Sequence, residues 1–425
     1  MVDTPTTPVP NTAARLARPQ PLGAFPLPLG YLLVPAGADT EAARAELLAG
    51  RVPTEWPAAL RAHELALAGD REGAVAALGT EPADPVTRYN RFVLDPDGEN
   101  PDELRRSLGE FSVLVDVVLF TLGRTEQAPP VGSADGELAA LVLSAQASQA
   151  LLSGDPRRAV ELLDRAAEHA AAVAPTFAGT LHGAAASILL DRGDQACVPR
   201  FERALELLSD ATALRVGRAE LHLGLAVALH DQAAQRPDLL RRAVPHYHSA
   251  LQLVQSHEAP LTWAGAHAGL ATAYLTMPMT SASDQLRLAV ATRSLRAALT
   301  VYTREDHPAQ WASAQLNLAN ALVCAPSSHR AENLAEAVEI YQALLELRDR
   351  GSDPLGRARV LANQGNALVQ LGCTDEATAR LSEARVLFEE HGDTESAHAV
   401  RELLDEIACR STPEPVGHAS GGDQA

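Results

Sequence analysis

Apolar and small residues recur along this chain at spacings of three and four, which is the pattern of amphipathic helices. Ala62, Leu65 and Gly69 follow this spacing, and Ala147, Ala150 and Gly154 repeat it. Alternating runs of Val, Ile, Thr and Tyr, which would indicate strands, are nearly absent. Alanine and leucine dominate the apolar residues, and both are strong helix formers. The pattern therefore predicts an all-α protein.

Two segments repeat one another. Residues 317–322 read Asn-Leu-Ala-Asn-Ala-Leu and residues 363–368 read Asn-Gln-Gly-Asn-Ala-Leu, 46 positions later. A recurrence at this distance is typical of stacked helical hairpins. The length of 425 residues agrees, because one compact core rarely grows so large and either two domains or a solenoid is expected.

Turn residues between the periodic segments divide the chain into successive predicted hairpins. Their approximate ranges are 56–79, 147–166, 176–209, 214–255, 261–303, 318–344 and 365–384. A final helix at about 394–410 is expected to cover the open end of the stack.

Composition shifts predict the organisation of the whole chain. Closely spaced prolines indicate a flexible start, and Pro129, Pro130 and Gly132 indicate a linker. The predicted segments are a Pro-rich flexible segment at 1–30, a helical region with one degenerate repeat at 31–125, a linker at 126–135, a repeat region with a capping helix at 136–410, and a disordered tail at 411–425.

The hairpins resemble the tetratricopeptide repeat. In the last of them Gly365 stands where paired helices cross, Leu368 follows three positions later, and Ala377 and Leu381 lie on the second helix. The resemblance covers residues 136–390 well and the first hairpin weakly. It implies a right-handed α-solenoid whose first helices line a concave groove for a protein or peptide.

Three middle repeats depart from the family pattern. The gap from the large first-helix residue to the second-helix alanine is nine from Leu368 to Ala377. It grows to 14, 17 and 15 in the pairs Leu229–Ala243, Tyr274–Ala291 and Leu322–Ala337. These lengthened turns either help to bind a partner at one edge or are simply tolerated, since doubling a loop costs only about 0.6 kcal/mol.

Four asparagines are the leading candidates for contact with a partner. Asn317 and Asn320 are three positions apart, as are Asn363 and Asn366, so each pair shares a helical face. An amide both donates and accepts hydrogen bonds, as an extended peptide backbone requires. The resemblance implies that they line the groove and clamp a peptide. The alternative is that they bond neighbouring repeats.

Three further residues are expected on the same side of the first helices: Thr272, Arg359 and Gln370. Arg359 either binds a partner carboxylate in bidentate fashion or is a solvated surface arginine. His222, by contrast, falls at a packing position and is interpreted as a half-buried structural histidine.

The charge balance disfavours nucleic acid as a partner. The formal net charge is −19, and such a field repels a polyanion. Every basic residue apart from the histidines is arginine, which is typical of a GC-rich genome, and we expect a bacterial one. Without lysine, neither a Schiff base nor a phosphate-loop lysine is possible.

The chain shows no HExxH, GxSxG or GxGxxG motif, and its carboxylates form no convergent set. We therefore predict no enzymatic activity, no cofactor and no metal. The most apolar run, 111–122, is too short to cross a bilayer, and the N-terminus is not that of a secretory signal. Four widely spaced cysteines are predicted to be buried and reduced, so a cytoplasmic location away from membranes is expected.

The sequence leads to two hypotheses on function. The first is a non-enzymatic, peptide- or protein-binding scaffold that serves as an accessory or assembly factor for a larger complex. The alternative is a regulator that responds to a ligand or peptide and controls a transcription or signalling partner through residues 31–125.

Overall fold

The computed structural model describes residues 31–79, 84–278, 285–325 and 327–411. The predicted flexible segment at 1–30 and residues 412–425 of the predicted tail lie outside the described residues.

The described ranges form α-helices and no β-strand, so the predicted all-α class is confirmed. The helices are α1 (Glu41–Leu48), α2 (Arg61–Leu67), α3 (Arg71–Leu78), α4 (Pro85–Leu94), α5 (Pro101–Leu108), α6 (Val113–Thr121), α7 (Gly136–Leu152), α8 (Pro156–Ala171), α9 (Pro175–Asp191), α10 (Cys197–Leu207), α11 (Arg215–Gln232), α12 (Leu239–Leu253), α13 (Pro260–Thr276), α14 (Gln285–Ala298), α15 (Pro308–Cys324), α16 (Arg330–Leu345), α17 (Pro354–Leu371), α18 (Thr374–Glu390) and α19 (Thr394–Ser411).

Contacts between Cα atoms divide the chain into two compact units, Met1–Thr262 and Trp263–Ala425. In the first unit α7 packs on α8, α8 on α9, α9 on α10, α10 on α11 and α11 on α12. In the second unit α14 packs on α15, α15 on α16, α16 on α17, α17 on α18 and α18 on α19. Within each of these two series, every helix packs on its neighbour in sequence, which confirms the predicted stack of helical hairpins.

The beginning of the first unit is held by a buried extended segment. Leu32, Leu33 and Val34 are fully buried and precede α1. The side chain of Asn90 on α4 accepts from the Leu33 amide at 2.7 Å and donates to the Leu33 carbonyl at 2.9 Å. His63 Nε2 on α2 lies 3.1 Å from the same carbonyl. Two side chains therefore satisfy buried backbone groups that a strand would otherwise pair.

Small residues at the helix crossings have a steric reason. At Gly365 on α17, an added Cβ would lie 2.6 Å from Leu381 Cγ on α18. Leu381 is fully buried in the core of the second unit, together with Leu295 and Leu361. Glycine at this crossing lets the two helices approach closely.

The lengthened turns are present in the helix bounds. Three residues separate α7 from α8, whereas six separate α11 from α12 and five separate α15 from α16. Eight separate α13 from α14, and residues 279–284 and 326 within these turns are outside the described residues. A binding role for the turns stays a prediction.

Residues 126–135 form a loop between α6 and α7. Gln146 Nε2 on α7 donates to the Pro129 carbonyl at 2.7 Å, so the loop is fastened to this helix. The predicted domain boundaries themselves stay predictions.

The prediction that the cysteines are buried is wrong for three of them. Cys197 is buried, but Cys324, Cys373 and Cys409 are exposed, and all four are free thiols. Cys324 ends α15 and Cys373 immediately precedes α18, so these two cysteines lie at helix ends and not in the helix interiors that the prediction assumed. Among the described helices, none is both long and apolar enough to cross a bilayer.

Candidate functional site

Polar side chains form a row across the alternate helices of the second unit, α13, α15 and α17. On α17 the positions 363, 366 and 370 are separated by three and four residues and therefore share one face. The same holds for positions 317 and 320 on α15. We call this set the amide row: Thr272, Asn317, Asn320, Asn363, Asn366 and Gln370.

Hydrogen bonds join the amide row from helix to helix. Asn317 Nδ2 on α15 donates to Thr272 Oγ1 on α13 at 3.2 Å. Asn363 Nδ2 on α17 donates to Asn320 Oδ1 on α15 at 3.0 Å. The structure thus contains hydrogen bonds between neighbouring repeats, which is the alternative to peptide contact that the sequence left open for these asparagines.

A buried tyrosine fixes the orientation of Asn320. The Tyr341 hydroxyl on α16 donates to Asn320 Oδ1 at 2.7 Å. Tyr341 is 1% exposed, and this burial raises its phenolic pKa, so the hydroxyl keeps its proton and remains a donor. Asn320 Oδ1 therefore accepts two hydrogen bonds, and its Nδ2 is turned away from both donors.

In each of the four asparagine side chains, either the oxygen or the nitrogen of the amide forms no hydrogen bond with a described residue. Asn317 Oδ1, Asn320 Nδ2, Asn363 Oδ1 and Asn366 Nδ2 have no hydrogen-bond partner among the described residues. The first three residues are half-buried and Asn366 is exposed. In chain order, from Asn317 to Asn366, the free groups alternate between acceptor and donor. The edge of an extended peptide offers the complementary alternation of N–H and C=O groups.

Gln370 and Arg359 are the two remaining residues that were predicted to contact a partner, and they differ in whether their side chains are already bonded within the unit. Gln370 Nε2 donates to Asn366 Oδ1 at 3.4 Å, and Gln370 Oε1 accepts from Arg330 at 2.5 Å. Both ends of the Gln370 amide are therefore engaged within the unit. Arg359 lies four positions before Asn363 on the same face of α17, is exposed, and forms no ion pair within the described ranges.

A cavity of about 350 Å³ adjoins the row between α13 and α15. Its lining is free of charge and consists of Gly265, Ala268, Thr272, Tyr302, Ala309, Gln310, Ser313, Ala314 and Asn317. Burial raises the pKa of the Tyr302 hydroxyl, which keeps it neutral. The cavity suits an uncharged group that is small or moderately polar.

Sequence reasoning missed most of this lining. Ser313 precedes Asn317 by four positions, so helical periodicity alone could have placed it beside the row. Tyr302 lies in the turn after α14, where no periodic signal exists, and only the fold brings it to the cavity.

Titratable groups elsewhere in the described ranges include a close pair of histidines. No cluster of three or more His, Cys, Asp or Glu side chains is positioned there to hold a metal ion. In the first unit, His222 Nδ1 on α11 lies 3.0 Å from His246 Nδ1 on α12. Burial and then the neighbouring His246 lower the pKa of His222 to about 4. His222 is half-buried in a hairpin interface, where the sequence placed it as a packing residue.

Neither a family profile nor a curated protein matches the chain. Several solved structures, by contrast, match it. The Rap protein complexed with competence and sporulation factor is 14% identical with a TM-score of 0.38, and the match covers 83% of this chain and 98% of that one. The human IFIT1 dimer with PPP-AAAA is 14% identical with a TM-score of 0.35, over 83% and 73% of the two chains. The TPR domain of P58(IPK) is 15% identical with a TM-score of 0.29, over 83% and 98%. All three have TM-scores below 0.5, and nothing that those proteins bind is assigned to this chain.

Proposed function

We propose that this protein is a non-enzymatic scaffold whose amide row binds an extended segment of a partner protein or peptide. The observation that carries this proposal is the alternation of free acceptors and donors on Asn317, Asn320, Asn363 and Asn366. Backbone recognition of this kind provides affinity for many sequences, and the neighbouring uncharged cavity provides selectivity for one side chain. A scaffold with these properties is suited to be an accessory or assembly factor of a larger complex.

The hydrogen bonds within the row support binding as well as stability. They hold each amide in one orientation before the partner arrives, which lowers the entropic cost of association. The exposed free thiols of Cys324, Cys373 and Cys409 fit a reducing compartment, and we place the scaffold in the cytoplasm.

An isosteric double variant, Asn320→Asp with Asn366→Asp, tests the proposal. Each aspartate keeps the oxygen that accepts from Tyr341, Asn363 or Gln370, and exchanges only the free N–H₂ group for an oxygen. The probe is a set of peptides enriched on the wild-type protein from a random peptide library. Each lost bond is worth about 0.5–1.5 kcal/mol, so affinity should fall by about tenfold or more in fluorescence polarisation.

A charge-matched control separates loss of the donors from added negative charge. Asn333→Asp with Gln235→Glu adds the same two charges outside the row and should bind as wild type. Far-UV circular dichroism should be equal in all three proteins. If the double variant binds the enriched peptides as tightly as wild type, the amide row does not bind the backbone.

A further inference from the structure

A second cavity, of about 390 Å³, lies between α16, α17 and α18 and shares no residue with the amide row. We call it the acidic pocket. It is lined by Val338, Glu339, Gln342, Ala343, Glu346, Gln364, Leu368, Glu376 and Arg380.

The acidic pocket carries unbalanced negative charge. Glu339, Glu346 and Glu376 are exposed, and none of them forms an ion pair with another described residue. Arg380 is the single basic residue of the lining, and its guanidinium donates to Gln342 Oε1 at 3.2 Å instead of to a carboxylate. Three carboxylates against one guanidinium leave a formal charge of −2. This charge favours a cationic group inside the pocket.

The side chain of Gln364 indicates independently that the acidic pocket lacks a hydrogen-bond donor. Its side chain is 2% exposed and lines the pocket. Nε2 donates to the Val338 carbonyl at 3.3 Å and to Gln342 Oε1 at 3.4 Å. Oε1 is buried without a hydrogen-bond partner among the described residues. A buried acceptor without a partner is costly, and an N–H donor entering the pocket would remove that cost.

Apolar side chains complete the lining. Val338, Ala343 and Leu368 supply the kind of surface on which the methylene stem of a long basic side chain packs. From these observations we infer that the acidic pocket binds the arginine side chain of a partner protein. A guanidinium has five N–H donors in one plane, so it can reach an amide oxygen and flanking carboxylates together. The ammonium of lysine, a compact group with three donors, reaches fewer of them.

The test uses N-acetyl-arginine amide, which carries the side chain as a polypeptide presents it. Isothermal titration at low salt should show binding with a dissociation constant on the order of 1 mM. N-acetyl-citrulline amide has the same shape without the charge and should not bind. Free arginine distinguishes a small-molecule site from a protein-binding one. It has the same net charge as the blocked amide, but its charged α-ammonium and α-carboxylate replace the uncharged amides of a polypeptide, so it should bind no more tightly.

The triple variant Glu339→Gln, Glu346→Gln and Glu376→Gln should weaken binding by about tenfold or more, because each charge-assisted bond becomes neutral. The control Glu332→Gln, Glu395→Gln and Glu402→Gln removes the same total charge from exposed positions outside the pocket and should change affinity less than about twofold.

Equal binding of the citrulline compound, equal loss in both triple variants, or no binding by the wild type would each overturn the inference. Tighter binding of free arginine than of the blocked amide would also overturn it, in favour of a small-molecule site. The result is separable from the test of the amide row, because neither set of variants changes a residue of the other site.

Discussion

Acidification should destabilise the first unit through His63. The side chain is 3% exposed, its Nε2 bonds the Leu33 carbonyl at 3.1 Å, and its Nδ1 is buried without a partner. Burial lowers the pKa of His63 to about 4, against 6.5 for a solvated histidine. The folded protein therefore binds fewer protons than the unfolded chain between these two values. Stability contributed by neutral His63 is complete above about pH 6.5 and is lost as the pH falls towards about 4.

The size of the effect follows from the two pKa values. Each pKa unit corresponds to about 1.36 kcal/mol, so the full loss is limited to about 3 kcal/mol. By about pH 5.5 the expected loss is about 1.4 kcal/mol. Because the imidazole is almost inaccessible, screening by solvent reduces these figures little.

The assay is urea unfolding followed by circular dichroism at about pH 7.5 and about pH 5.5. The informative variant is His63→Leu, because the Leu33 carbonyl keeps its hydrogen bond from Asn90 at 2.9 Å. The loss of stability between the two pH values should be about 1.4 kcal/mol smaller in this variant than in wild type. His398→Leu is the control, since His398 is exposed beside Glu402 on α19, and it should behave as wild type.

Burial also lowers the pKa of other histidines, namely His182, His222, His230 and His246. They titrate in both proteins, so their contributions cancel in the comparison. An identical pH dependence in wild type and His63→Leu would refute the assignment of this loss to His63.

Two further substitutions test the packing beneath the candidate site. Tyr341→Phe removes the 2.7 Å hydrogen bond to Asn320 and should lower the free energy of unfolding by about 0.5–1.5 kcal/mol in urea. Peptide binding should also weaken, because Asn320 is then held by Asn363 alone. Unchanged stability and affinity would contradict this role of Tyr341. Gly365→Ala places a Cβ 2.6 Å from Leu381 Cγ and should lower the free energy of unfolding by about 1–3 kcal/mol. The melting temperature should therefore fall. A higher melting temperature would show that the crossing has room for a methyl group.

The sequence was sufficient to predict the helices because apolar spacing and turn residues act locally. The hairpin formed by α17 and α18 illustrates this, since Gly365 and Leu381 meet where the repeat pattern placed them. The positions of Asn317 and Asn320 on one face of α15 were predictable for the same reason. Local periodicity is thus enough for the fold class and for the faces of single helices.

The hydrogen bonds between one hairpin and the next could not be derived from the sequence. The bond of Asn363 to Asn320 spans 43 residues, and it depends on how far one hairpin is rotated against the next. Repeat spacing does not encode that rotation. The bonds of Asn90 to Leu33, 57 residues apart, likewise need the buried extended segment to be in place first.

Burial near helix ends was the least predictable property. The sequence predicts buried cysteines, but Cys324 and Cys373 are exposed where α15 ends and α18 begins. Tyr302 shows the reverse, because a turn residue without periodic context is 8% exposed and lines the cavity.

Photocrosslinking measures most directly whether the amide row binds a peptide. Benzoylphenylalanine in place of Ser313 would stand on the row side of α15, and the same replacement at exposed Glu395 on α19 would stand outside it. After irradiation with the library-enriched peptides, mass spectrometry should find peptide attached at position 313, absent at position 395, and lost when Asn320→Asp and Asn366→Asp are added. Equal attachment at both positions, or attachment that survives the two asparagine changes, would show that the row is structural and that the partner binds elsewhere.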